Sequence, residues 1–182
     1  MINIVVIPAK AGIQILSSRI YFRTWIPAQD RNDRRMDFLT NNADETKRLA
    51  GKILKEVSGG QREGALVVAL QGELGSGKTT FIQGLGEALG IKEKILSPTF
   101  VIMKHFNILT FKHFNNLYHL DCYRLESAKD LAELGLVEIL AGKNNLVVIE
   151  WAERIASILP VDTVWLVFKH KGGETREIEL KI

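Results

Sequence analysis

Long apolar runs are missing from this 182-residue sequence, which contains no stretch of about 18 consecutive apolar residues and therefore predicts no membrane-spanning helix. The N-terminal segment MINIVVIP is apolar, but it is too short and wrongly flanked for a secretory signal. Cysteine is almost absent as well, because Cys122 stands alone and has no partner for an internal disulfide. These absences favour a cytoplasmic protein without membrane contact.

A positive charge excess is missing from most of the chain, although the whole sequence has a formal net charge of +3. Residues 1–35 carry six basic and two acidic side chains, which leaves 18 basic and 19 acidic side chains in residues 36–182. Proteins that bind nucleic acid directly usually carry a basic patch or stripe. The larger part of the chain has no such charge excess, so its composition does not indicate direct nucleic-acid binding.

The first 35 residues differ from the remainder in sequence character. Their segments IPAKAGIQ and WIPAQDRNDRR resemble translated bacterial intergenic repeat sequence. We therefore expect residues 1–35 to be a disordered or spurious extension, with Met36 as the true start; an ordinary flexible extension is the alternative. Residues 36–182 are long enough for one domain with its own core.

The apolar pattern of residues 36–182 alternates between strand and helix signals. Three short apolar runs predict strands buried on both faces, at Ala65–Leu70, Leu117–Leu120 and Leu146–Ile149. Helical spacing predicts helices after the capping pair Asn42 and Glu45, after residue 80, and over 128–140. A terminal hairpin is predicted from Val164–Lys169 and Arg176–Ile182. The alternation predicts an α/β fold whose mostly parallel sheet is flanked by helices.

The segment QGELGSGKTT gives the clearest chemical signal. Its residues from Gly72 to Thr79 fit the pattern G-x-x-x-x-G-K-[ST], between a predicted strand and a predicted helix. Glycines allow several backbone N–H groups to face one anion, and the following helix N-terminus adds its own N–H groups and dipole. Lys78 would reach the β- and γ-phosphates, and the Thr79 hydroxyl would bind Mg²⁺. The pattern predicts a P-loop NTPase-like three-layer fold with a phosphate site at Gly72, Gly75, Ser76, Gly77, Lys78, Thr79 and Thr80.

A dinucleotide-binding fingerprint is absent. The pattern G-x-G-x-x-G would need glycine at Leu74, and GLGEALG has Leu89 at the third glycine position. A Rossmann-type dinucleotide site is therefore not expected.

Two carboxylates follow buried strands, where the carboxyl ends of a parallel sheet face the ligand crevice. Glu150 follows LVVI, and Asp121 follows LYHL. A P-loop needs such a carboxylate to complete the Mg²⁺ shell. From the pattern alone either acid could serve, and each could instead be a surface acid paired with Arg124 or Arg154.

Five motifs in order carry a family resemblance: GELGSGKTT, SPTF, HLDCYRL, ELGL and VIEWAER. Over about residues 40–182 the chain resembles the TsaE family, P-loop ATPases required for N6-threonylcarbamoyladenosine modification of tRNA adenosine 37. The resemblance implies a Mg²⁺-dependent ATPase, weak alone and stimulated by partners. It also implies that the TsaB and TsaD proteins of the modifying complex are partners and that tRNA is contacted through them.

The resemblance further assigns roles to individual residues. It implies that residues 72–80, including Lys78, hold the ATP phosphates and that Thr79 and Glu150 are the Mg²⁺ ligands. Asp121 would be the acid near the γ-phosphate that is needed for turnover.

The SPTF loop, with Ser97 and Thr99, would be a switch-like element that senses the nucleotide. Arg176 would contact nucleotide, and Trp151 would lie close to the site. From the residues alone, His119 is expected to be a hydrogen-bonding residue rather than a metal ligand, since no second His or Cys has ligand spacing.

Two other functions fit a P-loop chain of this size. A nucleotide or nucleoside kinase could use Asp121 as a base, but such enzymes need several lid arginines, and Arg124 is the one arginine between Lys78 and Arg154. A non-hydrolysing nucleotide-gated adaptor is the other alternative. The segment 101–118 is longer than is usual in the family, and its near-repeat KHFN is expected in a surface loop or hairpin.

Overall fold

The structure is a computed structural model that describes residues 34–98, 102–125, 131 and 134–182, together with the backbone of residues 6–8 and 13–15. Residue 99 of the predicted switch-like loop, Thr99, lies outside the described residues. Within the described part of the chain, no helix is both long enough and apolar enough to cross a membrane.

A seven-stranded sheet forms the centre of the fold, in the order β3-β9-β8-β4-β7-β6-β5. The strands are β3 (Arg35–Thr40), β4 (Leu66–Gln71), β5 (Met103–Asn107), β6 (Asn116–Asp121), β7 (Asn145–Glu150), β8 (Val164–His170) and β9 (Arg176–Lys181). Neighbours in the central group β8-β4-β7-β6 run parallel, while β9 and β5 run in the opposite direction. The predicted α/β fold with a mostly parallel sheet and a terminal hairpin, β8–β9, is confirmed.

Helices cover both faces of this sheet. They are α1 (Ala43–Val57), α2 (Lys78–Ala88) and α3 (Leu136–Ala141), with a 3-10 helix at Ala152–Ile158. The predicted capping pair is confirmed, since Asn42 Oδ1 accepts a hydrogen bond from the Glu45 N–H at 2.9 Å. Helix α1 packs closely on α2, where a Cβ at Gly84 would lie 2.4 Å from the Lys47 Cα. This close approach fixes the position of α2 against α1.

Two buried apolar clusters lie on opposite faces of the sheet. One joins α1 and α2 to alternate strand residues such as Val68 and Leu166. The other joins the remaining strand residues, such as Val67 and Ile149, to α3 and the 3-10 helix. Because β4 and β7 are covered on both faces, their central residues, 66–70 and 146–149, are continuously apolar, as the buried-strand prediction assumed.

Three parts of the sequence prediction need correction. Strand β3 was not predicted, because its exposed polar residues, Arg35 and Asp37, interrupt the apolar signal. Strand β5 was not predicted either; it places the first KHFN copy in a hairpin with β6, with the second copy just before β6.

The predicted helix over 128–140 is wrong in its central part. Residues 134 and 135 form a turn in which Gly135 has φ 72°, and α3 begins only at Leu136. A left-handed glycine interrupts a right-handed helix, which explains the later start. Residues 126–130 and 132–133 of this region lie outside the described residues.

The N-terminal boundary falls close to a strand end. Strand β3 includes Arg35, one residue before the predicted start of the domain, and pairs antiparallel with β9. Strands β1 (Val6–Pro8) and β2 (Ile13–Ile15) pair with each other in a separate two-stranded sheet. The division into residues 1–35 and 36–182 therefore stays a prediction.

Candidate nucleotide and metal site

The glycine-rich segment connects β4 to α2 and forms a loop whose backbone conformation requires glycine at several positions. Gly72, Gly75 and Gly77 have φ values of 144°, 75° and 103°. A Cβ at Gly72 would also lie 2.6 Å from the carbonyl oxygen of Phe168. The loop ends at Gly77, which starts α2 without a side-chain cap, so the N–H groups of the first helical turn remain available for an anion.

Lys78 is folded back onto this loop. Its ammonium donates hydrogen bonds to the carbonyl oxygens of Gly72 at 2.7 Å and Glu73 at 2.9 Å. It also lies 4.2 Å from the ring centroid of Trp151, a cation–π distance, and the residue is 4% exposed. Burial lowers the pKa of Lys78 from its ordinary value, and the carboxylates nearby, with Glu150 first among them, oppose that shift.

Thr79 and Glu150 are brought into direct contact. The Thr79 hydroxyl lies 3.2 Å from Glu150 Oε1 and 3.1 Å from Oε2. Adjacent ligands of an octahedral Mg²⁺ with bonds of about 2.1 Å are separated by about 3.0 Å. The two oxygen-bearing side chains are thus spaced as a pair of Mg²⁺ ligands would be.

Asp121 lies beside Glu150 at the carboxyl ends of paired strands, since the two residues are register partners on β6 and β7. Its Oδ2 accepts a hydrogen bond from the Ser97 hydroxyl at 2.6 Å, and its Oδ1 accepts one from the Tyr123 N–H at 2.9 Å. Asp121 is 4% exposed and Glu150 is 3% exposed. Neither residue is therefore the surface acid of the alternative interpretation.

His119 makes the hydrogen bond that the sequence predicted. Its Nε2 lies 2.9 Å from Glu150 Oε1, and both side chains are buried. No cluster of three or more His, Cys, Asp or Glu side chains able to hold a metal occurs among the described residues.

Arg176 reaches the loop from the terminal hairpin. Its Nη2 donates to the Gly75 carbonyl at 3.3 Å, and its Cγ would lie 3.6 Å from a Cβ at Gly77. Two buried polar atoms at the loop, Arg176 Nε and Ser76 Oγ, have no hydrogen-bond partner among the described residues. Such atoms are what an anion cradle would offer to a phosphate.

These groups surround an open cavity of ≈ 390 Å³. Its lining contains most of the predicted site residues: Gly75, Ser76, Gly77, Lys78, Thr79, Thr80, Ser97, Asp121, Glu150 and Arg176. Gly72 lies at the base of the loop, where its carbonyl binds Lys78. The site therefore assembles from parts of the chain far apart in sequence.

Sequence reasoning missed several lining residues. Ala43 and Thr46 come from the first turn of α1, and Tyr123 and Glu174 also line the cavity. The proximity of Tyr123 to Asp121 in HLDCYRL was a usable signal. No local pattern connects α1 to the glycine-rich loop, so its contribution follows from helix packing alone.

A buried parallel strand, a G-x-x-x-x-G-K-T loop, the helix that follows and a strand-end carboxylate at the loop's threonine define the P-loop class of nucleotide-binding proteins. The model of the family described as threonylcarbamoyl adenosine biosynthesis protein TsaE matches residues 40–178. The chain belongs to the TsaE family.

Relatives and a solved structure agree with this family. The chain is 40% identical over 147 residues to the tRNA threonylcarbamoyladenosine biosynthesis protein TsaE of Treponema pallidum, which covers 79% of this chain and 98% of the relative. It is 37% identical over 145 residues to the Bacillus subtilis protein of the same name, covering 80% and 84%. The crystal structure of Bacillus subtilis YdiB superposes with a TM-score of 0.63 at 32% identity, covering 84% of this chain and 88% of that one.

Proposed function

We propose that this protein is a Mg²⁺-dependent ATPase that acts in the N6-threonylcarbamoyladenosine modification of tRNA adenosine 37. The observation that carries the proposal is the contact of Thr79 with both oxygens of Glu150, at the mouth of a glycine-rich loop. Membership of the TsaE family supports the pathway, and the contact supports the chemistry.

ATP binding would replace the present partners of Lys78. The ammonium now satisfies two carbonyl oxygens of its own loop, and it would turn from them to the β- and γ-phosphate oxygens. The N–H groups of the loop and of the first turn of α2 would hold the phosphates, together with Ser76 and Arg176. The backbone of the glycine-rich loop and of α2 is already in place, so little ordering of these two elements would oppose ATP binding.

Mg²⁺ would be held by Thr79 and Glu150 and would neutralise charge on the phosphates during hydrolysis. Asp121 would orient the attacking water, or sense the γ-phosphate, from its position beside Glu150. The water oxygen would form the new bond to the γ-phosphorus as the bond to the bridging oxygen breaks; ADP would leave with the electron pair of that bond, and the water would lose one proton to Asp121 or to the phosphate product. Ser97, which donates to Asp121, links this step to the SPTF loop, and we propose the loop, with Thr99, as the nucleotide-sensing switch.

Partners would complete the cycle. We propose that the TsaB and TsaD proteins stimulate turnover and that tRNA is contacted through them. Residues 36–182 carry 18 basic and 19 acidic side chains, a balance that supports indirect rather than direct RNA contact. Among the described residues, the cations that line the cavity are Lys78 and Arg176, and both contact the glycine-rich loop. No further arginine of the described residues lines the cavity to act as an arginine finger at the γ-phosphate.

The test is phosphate release from Mg²⁺-ATP by the full chain, measured alone and with TsaB and TsaD. We expect slow release alone, faster release with the partners, and loss of the stimulated rate in Glu150→Gln. Asp121→Asn should lose the same rate while it still binds ATP.

Two outcomes would contradict the proposal. Transfer of label from γ-labelled ATP to an added nucleoside, without phosphate release, would indicate a kinase. Tight ATP binding with no phosphate release under any condition would indicate a nucleotide-gated adaptor.

A further inference from the structure

His119 is a fully buried histidine on β6 that hydrogen-bonds to Glu150 of the candidate site. It stands on β6 two residues before Asp121, so both side chains lie on the same face of the strand. Its Nε2 is 2.9 Å from Glu150 Oε1, and its relative exposure is 0%. The ring therefore contacts Glu150 from the protein interior and does not line the cavity.

The hydrogen-bonding capacity of Glu150 explains why a second donor is useful. The Thr79 hydroxyl lies within 3.2 Å of both carboxylate oxygens, but it has one proton and can donate it to one oxygen at a time. Among the described residues, His119 is the other side chain bonded to this carboxylate. Because His119 donates to Oε1, the Thr79 hydroxyl can donate to Oε2, and the two hydrogen bonds together fix the orientation of the carboxylate plane.

The histidine makes this contact at a cost. Nε2 donates to the Glu150 carboxylate, because a carboxylate oxygen accepts, and the other ring nitrogen, Nδ1, is buried without a hydrogen-bond partner among the described residues. A buried polar atom without a partner opposes folding, whereas a leucine at this position would avoid the penalty. Core packing is therefore a poor reason for a histidine here, and the bond to Glu150 is a better one.

We infer that His119 is a positioning residue for the metal site: it holds Glu150 Oε1 so that the carboxylate is already oriented for the cation. The inference rests on the proposed function, in which Glu150 binds Mg²⁺. Residues that hydrogen-bond to a metal-ligating side chain orient it, and their loss typically weakens metal affinity about 10–100-fold. His119 would not touch ATP, so its loss should spare nucleotide affinity measured without metal.

The test uses Mn²⁺ as a paramagnetic substitute for Mg²⁺. Free Mn²⁺ is measured by electron paramagnetic resonance during titration of the full chain with saturating ADP. A fluorescent ADP analogue in EDTA reports nucleotide affinity separately. His119→Leu removes the donor, His119→Gln keeps an amide N–H close to the position of Nε2, and His119→Asn carries the same amide on a side chain too short to reach.

We expect His119→Leu and His119→Asn to weaken Mn²⁺ binding about 10–100-fold with unchanged ADP affinity in EDTA, and His119→Gln to recover most of the loss. Leu117→Ala is the matched control, because Leu117 is equally buried on the same strand and belongs to the apolar cluster. It should lower stability and leave Mn²⁺ affinity unchanged.

The outcomes separate this inference from the proposed function. If Glu150→Gln weakens Mn²⁺ binding but His119→Leu stays within threefold of the wild type, the role of His119 is wrong and the metal site stands. If Glu150→Gln also leaves Mn²⁺ affinity unchanged, the metal assignment falls and the inference falls with it. Should His119→Leu fail to fold, equal affinities in the glutamine and asparagine variants would overturn the inference.

Discussion

Replacement of Lys78 by methionine gives a sharp test of the proposed phosphate site, because this ammonium has two carbonyl partners in the structure and would exchange them for phosphate oxygens if ATP binds as proposed. Its two bonds to the Gly72 and Glu73 carbonyls would be exchanged for bonds to phosphate oxygens. A hydrogen bond to a charged group contributes about 1.5–3 kcal/mol net. Loss of the lysine should therefore weaken ATP binding about 10–100-fold at 1.4 kcal/mol per factor of ten.

Stability without nucleotide should change much less. The variant loses two carbonyl bonds, but it also removes a buried ammonium whose desolvation opposes its charged form. At a free ATP concentration 100 times the wild-type Kd, ligand binding stabilises the wild type by about 2.7 kcal/mol, whereas a 100-fold weaker site gives about 0.4 kcal/mol. For a chain of this size these values correspond to Tm shifts of about 5–11 °C and about 1–2 °C.

Isothermal titration with Mg²⁺-ATP and thermal melts with and without ATP measure the two quantities. Lys47→Met is the matched control, because Lys47 is paired with Glu87 at 2.7 Å outside the cavity and should keep wild-type ATP affinity. An ATP affinity of Lys78→Met within threefold of the wild type would refute the assigned role of the lysine.

Three further outcomes are expected. Gly72→Ala should abolish ATP binding and lower the free energy of unfolding by more than about 1 kcal/mol, since its φ of 144° and the Phe168 carbonyl exclude a Cβ; urea unfolding and titration measure both, and wild-type values would contradict the loop geometry. In a Trp25→Phe, Trp165→Phe background, ATP should change the fluorescence of Trp151 as the Lys78 ammonium leaves its ring, and Lys78→Met should remove that change. Burial raises the pKa of the Cys122 thiol to about 12, so between about pH 9 and pH 12 this thiol ionises in the unfolded state but not in the folded state. The free energy of unfolding should therefore fall as the pH rises through this range, and Cys122→Ala should make the fall smaller, as measured by urea unfolding at about pH 8 and about pH 10.5.

Features carried by neighbouring residues could be read from the sequence. The glycine-rich loop needs three left-handed or near-forbidden backbone conformations within six residues, and glycine at those positions is a local requirement. Strands β4 and β7 have continuous apolar centres, residues 66–70 and 146–149, because they are covered on both faces, so their extent was predictable to within one residue. Asp121 and Glu150 each follow a predicted strand, so the sequence placed each of them at the carboxyl edge of the sheet, whereas their pairing on β6 and β7 is seen only in the structure.

Features that depend on distant packing were not readable in this way. Strand β3 alternates exposed and half-buried residues, so it is recognisable as a strand mainly through its pairing with β9. The sequence left open whether Glu150 is a surface acid, and its burial and its contacts with Thr79 and His119 exclude that alternative.

The division has a physical cause. Backbone conformation and strand burial act over a few residues, so the phosphate loop and the central strands are encoded where they occur. The position of Arg176 on the loop, of α1 at the cavity wall and of His119 behind Glu150 depends on how helices and strands pack across the sheet. That packing is set by interactions summed over both apolar clusters, and no single stretch of the chain contains it.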